Sequence, residues 1–127
     1  MDANANSLNW FEISVTDIDR AKKFYETMFD ITMQEMEMLG MKMAFFPANP
    51  GSGKANGGLC KSEMHIPSKE GVKIYLNGNP DLSFALNRVE MAGGKIIMPK
   101  TIIDEQTGYM AFFEDSEGNV IGLHSQS

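Results

Sequence analysis

The sequence predicts an α+β fold made of two tandem βαβββ modules in one domain, and two observations support this prediction. The order strand, helix, strand, strand, strand occurs over residues 8–63 and again over residues 72–125, with a linker at 64–71. The letters MAFF occur at 43–46 and again at 110–113, at the same place within each half. A recurring element order with matched letters indicates an internal duplication.

The first module opens with a strand and a helix. Residues 8–15 alternate between apolar and polar side chains, as in a strand with one buried face. Thr16 is suited to cap the helix that follows, with Asp19 at the third helical position. From about Asp17 to Phe29, apolar residues recur every three or four positions and predict one buried helical face. That face consists of Ile18, Ala21, Phe24, Tyr25 and Met28.

Three strands complete the first module. Strands are predicted near 31–39 and 41–47, with a turn at Gly40. A long loop at 47–58 is rich in Pro, Gly and Asn, and the short strand 58–62 ends the module.

The second module repeats this order. Residues 72–78 alternate as a strand, and Asn79 is suited to cap the next helix, with Pro80 at its first position. The apolar stripe of that helix comprises Leu82, Ala85, Leu86 and Val89, and the pair Gly93 and Gly94 is a stop signal. Strands are then predicted at 95–102, 108–115 and 120–125.

Composition excludes several classes of function. The formal net charge of −6 opposes nucleic-acid binding, which needs concentrated Lys and Arg. The acidic balance would tolerate a cationic ligand, although it also fits an ordinary protein surface. We expect a cytoplasmic protein without a membrane partner, because the start lacks the features of a signal peptide and no apolar run could span a bilayer. A single cysteine, Cys60, rules out an internal disulfide.

Three stretches resemble one known superfamily: WFEISVTDIDRAKKFYETMFD, VEMAGGKIIMPKT and FFEDSEGNVIGLHS. Over residues 8–125 the chain is similar to the vicinal oxygen chelate superfamily, the glyoxalase, bleomycin-resistance and extradiol dioxygenase group, in its glyoxalase-like branch. The resemblance implies a mixed sheet curled into a cup, with helices outside and the site inside. It also implies a homodimer and a small organic molecule as partner.

Relatives with a metal take one ligand from the first strand and one from the last strand of each module. The matching positions here are Trp10, Gly58, Lys73 and Gly122. Divalent metals need His, Cys, Asp or Glu donors, whereas Trp offers only an N–H group, Gly has no side chain and Lys is positively charged. We therefore expect no cofactor at the usual metal site. The two glycines would leave room for a ligand or for the Trp10 ring.

Two residues further along the same strands, the inward positions are occupied by chemically active side chains, because residues two apart share a face. This predicts a cup lined by Glu12, Tyr75, Cys60 and His124, with Ser14 and Asn77 continuing the face.

Three interpretations of this lining stay open. Glu12 and His124 could form a hydrogen-bonded pair that stabilises the cup, with the Tyr75 hydroxyl donating to the carboxylate. Alternatively, they orient an organic molecule on which Trp10 stacks, without a metal. A displaced divalent metal site made of Glu12, Cys60 and His124 is the third.

The function is correspondingly open between a binding protein and an enzyme. In an enzyme, Glu12 would act as general base, His124 as acid or base, and Tyr75 would polarise a substrate oxygen. The residues expected to bind ligand in either case are Trp10, Ser14, Cys60, Lys73 and Asn77. A domain whose main role is contact with a protein partner is a further possibility. His65, in the linker, is expected at the surface or in a loop hydrogen bond rather than in a catalytic role.

Overall fold

The computed structural model describes residues 1–127 and contains two four-stranded mixed sheets, one from each half of the chain. The first half forms, in order, β1 (Trp10–Ser14), α1 (Ile18–Phe29), β2 (Gln34–Met38), β3 (Met41–Phe45) and β4 (Asn56–Lys61). The second half forms β5 (Tyr75–Asn77), α2 (Ser83–Leu86), α3 (Val89–Ala92), β6 (Lys95–Asp104), β7 (Gly108–Glu114) and β8 (Val120–Ser125). The α+β class and the two-module arrangement are confirmed.

The two sheets have the same strand order and pairing. In the first sheet, the order is β1-β4-β3-β2, with β1 parallel to β4 and the other pairs antiparallel. In the second, the order is β5-β8-β7-β6, with β5 parallel to β8. The repeated letters MAF lie in the equivalent strands β3 and β7, and Phe45 and Phe112 both lie opposite a glycine, so the repeat in sequence is also a repeat in register.

One hydrophobic core joins the two modules, and α1 lies within it. All five residues of the predicted helical face are buried. The Phe24 ring stacks on Phe113 of β7, with ring centroids 6.0 Å apart, and the Tyr25 hydroxyl donates to the Asp115 carboxylate at 2.7 Å. The first module's helix therefore packs against the second module's sheet. No helix is long and apolar enough to cross a membrane.

The predicted cap of α1 is wrong by one residue. Asp17, not Thr16, caps the helix, and its side chain accepts a hydrogen bond from the Arg20 backbone N–H at 3.0 Å. The N–H and the hydroxyl of Thr16 instead donate to Glu117, at 2.9 and 3.0 Å. Glu117 belongs to the turn between β7 and β8, so a residue of the second module holds the start of α1.

The second helical segment also differs from its prediction. Its apolar stripe is buried, but it forms two short helices, and the first begins at Ser83 after Leu82 rather than at Pro80. Asn79 does not cap it, because the Asn79 side chain accepts a hydrogen bond from the Gln126 backbone N–H at 2.8 Å. The predicted stop is confirmed, since Gly93 has φ 106° at the end of α3.

Candidate functional site

Each sheet has one face turned away from the helices, and we call these the inner faces. On the first inner face, Glu12 of β1 pairs with Gly58 of β4, and Ser14 pairs with Cys60. Strand β3 adds Phe45 opposite Gly58. Because Phe11, Ile13 and Val15 point the other way, Glu12 lies on the inner face as the alternation predicts.

The second inner face has the same register with different residues. Tyr75 of β5 pairs with Gly122 of β8, and Asn77 pairs with His124. Phe112 of β7 lies opposite Gly122. Tyr75 thus occupies the position of Glu12, and His124 occupies that of Cys60.

Glu12 lies at the centre of a hydrogen-bonded cluster within the first module. Its Oε1 contacts His65 Nε2 at 2.8 Å, and its Oε2 accepts from the Trp10 indole N–H at 3.2 Å. The other ring nitrogen of His65 lies 2.6 Å from the Ser62 hydroxyl. The hydrogen bond from His65 is the main reason that the pKa of Glu12 lies below its ordinary value, and partial burial opposes it.

Cys60 completes this cluster as a buried, protonated thiol. The ligand atoms of Glu12, Cys60 and His65 all lie within 4.8 Å of one another. Burial, and then the nearby negative charge of Glu12, raise the pKa of Cys60 to about 12. A nucleophilic cysteine needs a lowered pKa, so this thiol is poorly suited to nucleophilic catalysis.

The hydrogen bond between Glu12 and His124, one of the three interpretations of the lining, is not formed. No hydrogen bond or ion pair joins the two residues, and His124 Nε2 instead contacts the Thr107 carbonyl oxygen at 2.6 Å. Tyr75 is half exposed and packs against Phe112, with ring centroids 5.4 Å apart, rather than donating to Glu12. The hydrogen-bonded pair of Glu12 and His124 is therefore not formed, and the acid and base roles of the two residues stay predictions.

Only two of the three ligands predicted for the displaced metal site, Glu12 and Cys60, lie close together. The group of possible ligands is Glu12, Cys60 and His65, without His124. His124 lies with Tyr75 and Asn77 around an open hollow of about 420 Å³ on the second inner face. The eight predicted site residues thus fall mainly into two sets, Trp10, Glu12, Ser14 and Cys60 on one inner face, and Tyr75, Asn77 and His124 on the other.

His65 is the residue that sequence reasoning undervalued. Its side chain is only 14% exposed, and it returns from the linker to contact Glu12, 53 positions earlier in the chain. A local signal exists, because Ser62 and His65 are three residues apart and form a turn whose backbone His65 N–H donates to the Ser62 carbonyl oxygen at 3.2 Å. Nothing in that spacing identifies Glu12 as the partner.

The positions that usually hold a metal in relatives do not fit one here. A Cβ atom at Gly58 would lie 2.9 Å from the Phe45 ring, and one at Gly122 would lie 2.6 Å from the Tyr75 ring. The rings of Phe45 and Tyr75 therefore fill the space beside the two glycines. The prediction that this space would hold a ligand or the Trp10 ring is wrong. Lys73, at a third position, donates its ammonium group to the Lys69 carbonyl oxygen at 2.7 Å.

A cleft between the modules is the largest cavity described. Its volume is about 790 Å³, and its walls come from the first module and from the segment 72–77 of the second. Ten of its 14 lining residues are apolar, among them Phe11, Phe29, Phe46 and Ile74. Lys73, Tyr75 and Asn77, which were predicted as site residues, lie along one wall.

A second cavity adjoins this intermodule cleft. Its volume is about 590 Å³, it is lined by Trp10, Phe45 and much of the loop 46–56, and it shares Phe46, Pro47 and Asn56 with the cleft. The loop therefore borders both cavities, and Trp10 lies close to the cleft without lining it.

Comparison with known proteins agrees with this fold. A glyoxylase-like domain-containing protein from Didymella fabae is 32% identical over 115 residues, which cover 88% of each chain. A glyoxalase/bleomycin resistance protein from Albidiferax ferrireducens T118 has a similar structure, with a TM-score of 0.71 at 15% identity over 96% of this chain and 100% of that one. TnmS3, an antibiotic binding protein from Streptomyces sp. CB03234, has a TM-score of 0.63 at 20% identity over 99% and 100%.

The chain is assigned to a protein family by its match to a family model. Residues 7–123 match the model of the Glyoxalase/Bleomycin resistance protein/Dioxygenase superfamily. The match includes every residue that lines the intermodule cleft and both inner faces except His124. The chain belongs to the Glyoxalase/Bleomycin resistance protein/Dioxygenase superfamily.

Proposed function

We propose that this protein binds a small, mainly apolar organic molecule in the intermodule cleft. The observation that carries the proposal is the cleft itself, a concave space of about 790 Å³ with mainly apolar walls and a few polar groups. Sites for small organic molecules have this size and composition. The aromatic rings of Phe11, Phe46 and Tyr75 offer flat surfaces on which a planar ligand can stack.

The charge of the side chains that line the cleft indicates which ligands it favours. Lys73 is the one ionised side chain among its lining residues, and no carboxylate lines it. A neutral or anionic ligand is therefore favoured over the cationic one that the overall acidic charge would tolerate. An antibiotic-binding protein of the same fold, TnmS3, supports binding as a role for such a structure.

Binding is favoured over the metal-dependent chemistry of the superfamily. A metal at the usual positions would act as a Lewis acid on a substrate oxygen. The residues at those positions here are Trp10, Gly58, Lys73 and Gly122, of which none is a metal donor. The proposed binding function consequently involves no step through a metal at these positions.

We also propose a cytoplasmic homodimer. The inner faces carry large exposed apolar side chains, with Trp10 42% and Tyr75 50% exposed, and Met36 and Met38 are exposed on β2. Contact with a second copy would remove this surface from water. A reducing compartment suits the single free thiol of Cys60. Light scattering coupled to size-exclusion chromatography would test the dimer, and a monomer at all concentrations would contradict it.

Three matched naphthalene derivatives test the binding proposal: the 2-carboxylate, the neutral 2-naphthol and the 2-trimethylammonium compound. Isothermal titration calorimetry should give 1:1 binding in the order carboxylate, neutral, cation. Tyr75→Ala should weaken all three about tenfold through loss of a stacking surface. Lys73→Gln should remove the preference for the carboxylate and leave naphthol binding unchanged.

Phe84→Ala is the matched control, because Phe84 is an exposed aromatic residue on α2 that does not line the cleft. It should bind all three compounds as the wild type does. Absence of binding by the wild type, or equal losses in Phe84→Ala and Tyr75→Ala, would overturn the proposal.

A further inference from the structure

We propose that Glu12, Cys60 and His65 form a zinc-binding site within the first module. Their three ligand atoms, a carboxylate oxygen, a thiol sulfur and an imidazole nitrogen, lie within 4.8 Å of one another. This site differs from the usual metal site of relatives, which takes its ligands from both modules. It is also separate from the intermodule cleft, since none of the three residues lines that cleft.

The surrounding hydrogen bonds already aim two of the ligands. The Trp10 indole N–H donates to Glu12 Oε2, which leaves Oε1 directed toward His65. The Ser62 hydroxyl lies 2.6 Å from His65 Nδ1 and orients the ring so that Nε2 points at the carboxylate. Metal-binding histidines commonly have such a partner on the other ring nitrogen.

The donor set selects the kind of cation. Nitrogen, oxygen and sulfur ligands together suit Zn²⁺, whereas Mg²⁺ and Ca²⁺ prefer oxygen ligands alone. Three protein ligands leave one tetrahedral position open, as in zinc sites that bind water or a substrate. Access exists on the Glu12 side, because that side chain is 34% exposed while Cys60 is buried beneath it.

Glu12 and His65 would need only small shifts to admit the ion, and the larger movement falls to the Cys60 sulfur, which lies up to 4.8 Å from their ligand atoms. Glu12 Oε1 and His65 Nε2 are 2.8 Å apart, at hydrogen-bond distance. Two ligands at ordinary zinc distances in a tetrahedral site are roughly 3.3 Å apart. A side-chain movement of about half an ångström would replace the hydrogen bond with two metal bonds.

Zinc binding changes the protonation of Cys60 and His65. Zinc binding displaces the thiol proton of Cys60 to the solvent, and the sulfur becomes a thiolate ligand. The proton on Nε2 of a neutral His65 moves to Nδ1, from which it donates to the Ser62 oxygen. That oxygen also accepts from the Met64 backbone N–H at 3.1 Å, so its two lone pairs are then both used. One proton is released for each ion bound.

The test uses the full chain without a histidine tag, freed of metal by chelator, with Zn²⁺ and Co²⁺ as probes. Titration calorimetry in buffers of different ionisation enthalpy should give one Zn²⁺ per chain and release of about one proton. Co²⁺ should produce a thiolate-to-cobalt absorption band and the visible spectrum of a tetrahedral ion. Mg²⁺ and Ca²⁺ should not bind at this site.

Cys60→Ser and His65→Ala should each weaken Zn²⁺ binding more than about 100-fold, because a ligand contributes more than its outer partners do. Cys60→Ser should also abolish the cobalt charge-transfer band. His124→Ala is the control, since it removes the chain's other histidine and should leave binding unchanged. Circular dichroism of the metal-free variants checks that each is folded.

Several outcomes would overturn the site: no stoichiometric Zn²⁺ binding by the wild type, a cobalt spectrum without the thiolate band, or equal losses in His65→Ala and His124→Ala. Should Cys60→Ser fail to fold, His65→Ala and the wild-type cobalt spectrum decide the matter. Binding of the naphthalene compounds is measured separately, so failure of the zinc site leaves the binding proposal intact.

Discussion

The two inner faces have one register but different chemistry. Glu12 and Tyr75 occupy equivalent positions beside Gly58 and Gly122. In the first module, the linker returns over the sheet and His65 ties the Glu12 carboxylate into a cluster. The equivalent Tyr75 hydroxyl has no such partner, and its ring is half exposed.

We infer from this difference that the duplicated backbone determines which positions face inward, whereas segments outside the repeat determine the chemical environment of the side chains at those positions. Strand pairing gives both faces the same arrangement of a large side chain beside a glycine. The linker residue His65 exists in one module only and makes that face a polar cluster. Without such a residue, the second face keeps Tyr75, Asn77 and His124 around an open hollow.

The largest predicted effect concerns Glu117, the residue through which the second module holds the start of α1. Glu117 accepts hydrogen bonds from the Asp17 backbone N–H at 2.9 Å and from Arg20 Nε at 2.7 Å, in addition to those from Thr16. Glu117→Gln would place an amide N–H₂ against the Arg20 donors. We expect the free energy of unfolding in urea to fall by about 3 kcal/mol, because the buried side chain loses its charge and an acceptor. Glu105→Gln, at an exposed position, should change it little.

The same variant has a pH signature. Burial alone raises the pKa of Glu117, but hydrogen bonds from Arg20 and from the backbone N–H groups of Asp17 and Thr16 outweigh it and bring the value to about 2. A lowered folded-state pKa contributes stability above the ordinary pKa of the group and loses it as the pH falls. Wild type should therefore lose more stability than Glu117→Gln between pH 4.5 and pH 2. Parallel acid curves would contradict this.

The next prediction compares the two inward glycines directly. A Cβ at Gly58 would lie 2.6 Å from the Ala44 backbone oxygen, whereas the nearest atoms to one at Gly122 all belong to the Tyr75 ring. A side chain can turn away and a sheet backbone cannot. Gly58→Ala should lower the free energy of unfolding by about 2 kcal/mol and Gly122→Ala by about 1 kcal/mol. Urea denaturation decides the order, and the reverse order would break the comparison.

The sequence predicted most of the fold because its signals are local. Alternation in β1 and the repeated letters of β3 and β7 determine the register, and the spacing of apolar residues gives the buried face of α1. The contacts of Glu12 with His65 and of Thr16 with Glu117 join residues 53 and 101 positions apart. They depend on how side chains meet after folding, so neither the contact of Thr16 with Glu117 nor the polar cluster could be predicted from the sequence, whereas the cap at Asp17 is a local hydrogen bond to the Arg20 N–H.

The smallest predicted effect concerns the contribution of His65 to the pKa of Glu12 on the first inner face. The hydrogen bond from His65 is the main cause of the lowered pKa of Glu12, so His65→Ala should raise that pKa toward its ordinary value. His124→Ala should not, because His124 contacts Thr107 and not Glu12. The side-chain carboxyl carbon of Glu12, followed by NMR during an acid titration, reports the pKa directly.

The sign of the accompanying stability change follows from the lowered pKa. The contribution of Glu12 is present above its ordinary pKa and is lost as the pH falls through the folded-state value. His65→Ala should therefore flatten part of the acid loss of stability, by less than Glu117→Gln does, because Glu12 is partly exposed and solvent screens its interactions. A Glu12 pKa that moves equally in both histidine variants would mean that His65 acts only through general packing. A shift confined to His65→Ala would attribute the chemical difference between the two inner faces to a residue outside the repeat.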